Sequence, residues 1–165
     1  MERHMKMQGI IRKEAGGCKN MDDYEIYEEQ CKKIREENEQ LLDLFEESLK
    51  DLKPATVRRH LSNVSFYIND YLLYEDALTF DRGVRKIDDF LGYFFIRKCM
   101  WSTPGTIKST AASIKKFYQC MLKHDKIQRA DFEYLSESIK EGMPEWQALC
   151  AQYNDPEEEN PFFMW

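Results

Sequence analysis

The sequence predicts an all-α protein, a compact bundle of five to six helices around one core. Glycine (7) and proline (5) are scarce among its 165 residues, whereas Leu, Glu, Lys, Ile and Met are plentiful, which favours helix over sheet. Apolar residues recur at three- and four-residue steps along most of the chain, and no segment has the pattern of a strand. With 42% hydrophobic residues, the chain can build one core but is short for two domains.

The first half of the chain is predicted to contain a tail and two helices. Residues 1–20 hold three glycines and no hydrophobic period, so they are predicted to be a flexible tail. A helical period runs through residues 22–52, and Pro54 ends that element and begins a helix over residues 54–73. The buried face of this second helix is predicted to comprise Val57, Leu61, Val64, Ile68 and Tyr71.

The second half begins with a polar stretch through Asp81 and Gly83, which leads to a buried, aromatic-rich helix over residues 87–100. Thr103 is then predicted to cap a helix whose first residue is Pro104. The inner face of that helix is predicted to comprise Ile107, Ala111, Ile114, Tyr118 and Met121.

The last helix is predicted to have Asp131 as its N-cap and to end at Gly142, with Pro144 beginning a short turn. Residues 154–165 form an acidic tail with an apolar tip. Residues 21–153 are therefore predicted to be a single helical domain.

The net charge of −6 is divided into blocks along the chain. Residues 21–51 hold twelve acids against four bases, and residues 131–165 hold nine acids against one base. Between them, residues 52–69 have three bases and no acid, and residues 101–123 have four lysines and no acid. An acidic total opposes phosphate binding, but two acid-free basic blocks favour it locally.

The two basic blocks match each other at an offset of fifty residues. Residues 54–58 (PATVR) align with residues 104–108 (PGTIK), and the apolar positions that follow stay in phase without a gap. Any two amphipathic helices share a hydrophobic phase, but that does not explain the common opening. A helix start with a threonine and a base suits a phosphate, and two such starts side by side could straddle a duplex.

No set of residues predicts catalysis, a metal or a cofactor. The five cysteines and three histidines are scattered without zinc spacing, so the thiols are predicted to be free and buried. Tyr67, Tyr71 and Tyr118 lie on apolar faces and are predicted to be core residues rather than nucleophiles. No small-molecule substrate is predicted. The absence of a signal peptide or membrane span in the sequence predicts a cytoplasmic protein.

Five segments in order resemble the N-terminal SAM-like core-binding domain of tyrosine recombinases and phage integrases. The resemblance covers residues 41–153, about two thirds of the chain. Its segments are residues 41–49 (LLDLFEESL), 53–72 (KPATVRRHLSNVSFYINDYL), 87–99 (IDDFLGYFFIRKC), 102–121 (STPGTIKSTAASIKKFYQCM) and 124–127 (HDKI).

The resemblance implies a domain that grips duplex DNA with two helices across the major groove. In that family a second domain supplies the catalytic arginines, histidine and tyrosine, and this sequence has no His-x-x-Arg pair. The chain is therefore predicted to be a non-catalytic DNA-binding module related to DNA recombination or integration. The predicted DNA contacts are Arg58, Arg59, Ser62, Asn63, Thr106, Lys108, Ser109, Lys115 and Lys116.

The alternative prediction is a helical protein-interaction module. In that case the acidic first helix and the apolar tip, residues 162–165, would engage a partner such as a full-length recombinase, or a second copy of the chain.

Overall fold

The computed structural model describes residues 21–163, and the regular structure in that part is entirely helical. The all-α prediction is therefore confirmed. Its α-helices are α1 Met21–Ser48, α2 Pro54–Ser65, α3 Ile87–Asp89, α4 Phe95–Lys98, α5 Pro104–Lys123 and α6 Arg129–Asn154. A π-helix (Phe66–Tyr71) continues α2, a 3-10 helix (Phe80–Arg85) follows it, and a second π-helix (Phe90–Phe94) joins α3 to α4. The tail predicted over residues 1–20 lies outside the described residues.

Both proline-led helices begin where the sequence predicts, with Pro54 and Pro104 in the first turns of α2 and α5. The Thr103 hydroxyl caps α5 by accepting from the Thr106 N–H at 3.0 Å, and the Thr106 hydroxyl accepts from the Thr103 N–H at 2.8 Å. Lys53, which precedes α2, makes no side-chain cap. The two repeats therefore share a proline start but not a cap.

The second predicted helix is less regular than expected, because its α-helix ends at Ser65 and continues as a π-helix to Tyr71. Tyr67 and Tyr71 stack in this segment, with ring centroids 5.5 Å apart. The Tyr67 hydroxyl donates to the Gly83 carbonyl at 2.5 Å. This bond holds the polar stretch against the bundle as a 3-10 helix.

The last helix starts earlier than predicted. Its N-cap is Gln128, and Asp131 lies in the first turn, where its carboxylate accepts from the Gln128 N–H at 3.2 Å. The prediction that Asp131 is itself the N-cap is wrong. An acid three residues into a helix completes a capping box, so the same side chain stabilises the helix start from the inside.

The last helix also ends later than predicted, since α6 continues through Gly142 and Pro144 to Asn154. The prediction of a break at these residues is wrong, and Trp146 supplies the reason. Its indole N–H donates to Asp88 at 2.7 Å, and its ring packs directly over Gly142. Tertiary contacts of this kind outweigh the roughly 3 kcal/mol that an internal proline costs a helix.

The core lies between the C-terminal half of α1, the α2 segment, the segment from α3 to α4, α5 and α6. Phe45 of α1 packs edge-on against Phe117 of α5, with ring centroids 5.5 Å apart. The predicted inner face of α5 is buried at every position, and Val64 and Ile68 of the α2 segment are buried with it. These predicted core positions are confirmed. The other residues predicted for the buried face of the α2 segment pack against the core but are half-buried, namely Val57, Leu61 and Tyr71.

The N-terminal half of α1 packs separately from that core. Cys31 and Ile34 form a small buried cluster with Leu73, which follows the first π-helix. The Tyr27 hydroxyl donates to the Leu73 carbonyl. Asn38, which is buried, donates to the Asn69 side chain at 2.9 Å and thereby fixes the midpoint of α1.

The remaining structural expectations concern thiols, metals and membranes. The cysteines of the described part (Cys31, Cys99, Cys120 and Cys150) are buried free thiols, and Cys18 lies outside it. No three His, Cys, Asp or Glu side chains between residues 21 and 163 are grouped as metal ligands. Over the same residues, no helix combines the length and apolarity needed to cross a membrane.

Candidate nucleic-acid interface

The two repeat helices, α2 and α5, meet at equivalent positions of the repeat. The Asn63 side chain donates to the Ser113 hydroxyl at 3.0 Å, and these residues are fifty positions apart. The same hydroxyl lies 2.8 Å from Nδ1 of His60, which is buried. A shared polar contact therefore joins the second half of α2 to the middle of α5.

The contacts on either side of this junction run in opposite directions along the two helices. His60, in the middle of α2, lies near Ser113 and the Lys116 charge, whereas Phe66, just past the end of α2, packs against Trp101 before α5. The expectation that both helix starts lie side by side is therefore wrong. The two helices run antiparallel, so the start of each lies toward the end of the other. Two similar helices that meet at equivalent residues can pack in this direction as well as in parallel.

The structure separates the predicted contact residues into two groups. Arg58, Arg59, Ser62, Lys108, Lys115 and Lys116 are exposed, whereas Asn63, Thr106 and Ser109 are half-buried. Asn63 is engaged with Ser113, and the Thr106 hydroxyl completes the cap of α5. Asn63, predicted as a DNA contact, is half-buried because its position on α2 falls where that helix packs against α5.

Bases from both basic blocks lie near enough to His60 to affect its pKa. Burial lowers the pKa of His60 below its ordinary value of 6.5, and the positive charges of Arg59 and Lys116 lower it further. One imidazole therefore senses a base from α2 and a base from α5. We call the exposed bases of this region, Arg58, Arg59, Lys115 and Lys116, the basic junction.

The bases of the basic junction form no salt bridge with a carboxylate in the described part of the chain. Between residues 21 and 163, no carboxylate lies within 4 Å of any of the four, and the salt bridge found there joins Lys50 to Glu47 on the exposed end of α1. Exposed cations without a protein counter-ion are available to an external anion. The basic junction is therefore a positively charged surface on a protein of negative net charge.

The bases of the acid-free blocks do not all join this surface. Lys108 lies in the first turns of α5, away from the contact with His60, beside the capped helix start. Lys123, in the second block, and Arg129, at the start of α6, instead line a neighbouring groove together with Lys116. The sequence analysis did not select Lys123 or Arg129 as contacts, although Lys123 lies in the acid-free block of residues 101–123.

The negative charge is concentrated elsewhere. The outer face of α1 carries Glu25, Glu28, Glu29, Glu36 and Glu39 around Lys32 and Arg35. The segment after α6 carries Asp155 and exposed Glu157, Glu158 and Glu159. A net charge of −6 thus coexists with the basic junction because the two signs occupy different elements.

Comparison with known proteins gives no relative. No family model, curated protein or solved structure matches the chain.

Proposed function

We propose that the chain is a non-catalytic module that binds duplex DNA through the basic junction, in a process related to DNA recombination or integration. The observation that carries the proposal is the contact of α2 with α5 through His60 and Ser113, 2.8 Å apart, which brings exposed Arg59 and Lys116 near one buried histidine. Two repeat-related helices thus present bases to the same side of the molecule. Phosphate contacts of this kind supply most of the affinity of sequence-independent binding.

The helix starts support the proposal unequally. At α5 the Thr103 and Thr106 hydroxyls already satisfy each other and a backbone N–H. The start of α2 lacks a side-chain cap, and exposed Arg58 lies in its second turn. Uncapped N–H groups and a nearby guanidinium are suited to a phosphate, so α2 is the better positioned of the two repeats.

A non-catalytic role agrees with the state of three tyrosines that lie in the core or pack against it. Tyr67 and Tyr118 are fully buried, and burial raises the pKa of each phenol well above its ordinary value. Their hydroxyls donate to the carbonyls of Gly83 and Phe80, each at 2.5 Å. Burial also raises the pKa of Tyr71, and its hydrogen bond to Asp89 adds to that shift. Phenols held in this way are poor nucleophiles toward a phosphodiester.

The proposal is tested by titrating a blunt duplex against wild type and a Lys115→Ala/Lys116→Ala variant over a range of salt concentrations. Affinity should fall with salt, and the variant should bind every duplex more weakly. The slope of log K against log salt should be reduced by up to about two, because about 0.9 unit is lost for each phosphate contact removed.

A matched control is Lys32→Ala/Lys33→Ala, which removes two exposed lysines from the acidic helix α1. This variant should retain the wild-type slope. Absence of duplex binding by the wild type near 50 mM salt, where phosphate contacts are strong, would contradict the proposal.

A protein-interaction module is a second candidate because of exposed apolar side chains between α4 and α5. Met100 is 100% exposed and Trp101 is 61% exposed. The apolar tip contributes less than the sequence predicted, since Phe162 packs against Tyr93 with ring centroids 5.2 Å apart. Met164 and Trp165 lie outside the described residues. Protein partners for this candidate are a recombinase or a second copy of the chain, and sedimentation analysis alone and with a recombinase tests it.

A further inference from the structure

A groove of about 960 Å³ lies beside the basic junction, between the end of α1, the second half of α5 and the start of α6. Its cations are Lys116 and Lys123 from α5 and Arg129 from α6. Asp125 is its one acidic lining residue, in the turn that joins the two helices. Bases from two helices thus converge on a concave surface, whereas the basic junction is defined by exposed residues on helix faces.

The rest of the lining has a mixed chemistry. Gln119 and Gln128 provide amide donors and acceptors along the wall. Phe132, Ile127 and Leu122 provide apolar surface, and Phe132 is half-buried with part of its ring accessible. A groove with cations, amides and an aromatic ring matches a ligand that alternates anionic groups with flat, polar-edged rings.

We propose that this groove binds an unpaired nucleic-acid strand continuing from a duplex held on the basic junction. The proposal rests on the proposed function, because Lys116 belongs to both surfaces and makes them continuous. Phosphates of the unpaired strand meet Lys123 and Arg129, and a base stacks on Phe132. Positively charged grooves with aromatic platforms bind single strands in this manner, largely without sequence preference.

The geometry favours a single strand over a second duplex. A base pair hides its flat faces in the helical stack, so a duplex cannot use Phe132 as a stacking surface. An unpaired base exposes both its face and its hydrogen-bonding edge, which Gln119 and Gln128 can satisfy. An acidic peptide would pair with the cations but would leave the ring of Phe132 without a matching planar group.

The experiment compares a blunt 20-base-pair duplex with the same duplex carrying a six-nucleotide oligo-dT overhang, by fluorescence anisotropy at one salt concentration. Wild type is expected to bind the tailed DNA about tenfold more tightly, from one stacked base and the added phosphate contacts. The Lys123→Ala/Arg129→Ala variant should lose this gain and keep its affinity for the blunt duplex within about twofold.

Phe132→Leu provides a second variant, because leucine retains apolar packing and lacks the stacking face. It should reduce the gain about fivefold without changing the salt dependence of the gain, since the phosphate contacts remain. Lys115→Ala is the matched control from the basic junction, and it should weaken blunt and tailed DNA by the same factor. Circular dichroism of each variant verifies the fold.

The outcomes separate this inference from the proposed function. A tail gain that persists in both groove variants, or no gain in the wild type, overturns the groove assignment while blunt-duplex binding still supports the proposed function. Binding of tailed DNA without any binding of blunt DNA overturns the duplex role and supports the groove when the groove variants abolish it. Absence of binding to either DNA overturns both.

Discussion

His60 couples the charge of the basic junction to a titratable group. It is buried against Phe45 of α1, contacts Ser113 of α5, and senses the charges of Arg59 and Lys116. Because its pKa in the folded protein lies below the ordinary value of 6.5, protonation favours the unfolded chain. Its contribution to stability is present above pH 6.5 and is lost as the pH falls through that value toward the lower folded pKa.

A phosphate on the basic junction should reverse part of this shift. By compensating the Arg59 and Lys116 charges, it should raise the pKa of His60 and make binding take up a proton, so that affinity increases as the pH falls below about 6.5. NMR titration of the His60 ring with and without duplex measures the effect directly. Lys116→Ala should also raise the pKa of His60 in the free protein, whereas Lys33→Ala should not. An unchanged His60 titration on duplex binding would place the DNA elsewhere.

Two neighbouring residues show why the exposure of a side chain is difficult to predict from sequence. Ser62 and Asn63 are neighbours in a basic block, and sequence alone gave them the same role. In the structure Ser62 is exposed, whereas the Asn63 side chain donates a hydrogen bond to Ser113. The difference depends on where α5 crosses α2, and the hydrophobic period of one helix contains no information on that crossing.

At the scale of elements, helix α6 depends on close packing at a glycine. A Cβ at Gly142 would lie 2.3 Å from the Trp146 ring, whereas the nearest neighbour of a Cβ at Gly105 in α5 is 3.7 Å away. Gly142→Ala should therefore destabilise the protein by about 1–3 kcal/mol, despite the better helix propensity of alanine.

Gly105→Ala is the matched control, and it should be neutral or stabilise by up to about 1 kcal/mol. Urea unfolding of both variants with shared m-values gives the comparison. If Gly142→Ala were as stable as wild type, the Trp146 ring would not pack as closely over residue 142 as the structure has it.

The elements that were predictable are those with local signals. A proline in the first turn, with Thr103 before it, located the start of α5 to the residue. The end of the last helix was not predictable in this way, because Gly142 and Pro144 are strong local breakers and their effect is overcome by a contact with Asp88, 58 residues from Trp146. The π-helix of Phe66–Tyr71 likewise follows tertiary contacts of Tyr67 and Tyr71.

At the scale of the whole molecule, the distribution of charge bears on the proposed binding of DNA. The acidic residues after α6 repel a polyanion at long range, and this repulsion is screened beyond a Debye length of about 10 Å at 0.1 M salt. Replacing Glu157, Glu158 and Glu159 with glutamine should therefore increase duplex affinity at low salt and have little effect above about 0.2 M.

Charge substitution is preferable to truncation for this test, because the segment also holds Phe162 against Tyr93 and Tyr153. Association rates measured by stopped flow at several salt concentrations give the result, since long-range repulsion acts mainly on the rate of encounter. An increase of equal size at low and high salt would indicate a direct contact at the segment instead of long-range repulsion.

The candidate interface was only partly predictable, because it depends on how the helices are oriented relative to one another. The acid-free blocks located the lysines and arginines of α2 and α5 in sequence. That Arg59 and Lys116 both act on His60 depends on the opposed directions of the two helices. Arg129 joins the groove only because the turn at Asp125, with φ of 57°, returns the chain alongside α5. A repeat in sequence predicts equivalent units and does not predict their relative orientation.

The separate packing of α1 has a consequence for how the molecule opens. The helix has 28 residues and is therefore about 42 Å long. Its first half includes a small cluster with Leu73 and the hydrogen bonds of Tyr27 and Asn38, apart from the main core. Its second half shares the main core through Leu41, Phe45 and Leu49. Amide hydrogens upstream of Asn38 should therefore exchange with solvent through a sub-global opening that leaves the bundle folded. In that respect one continuous helix behaves as two cooperative units.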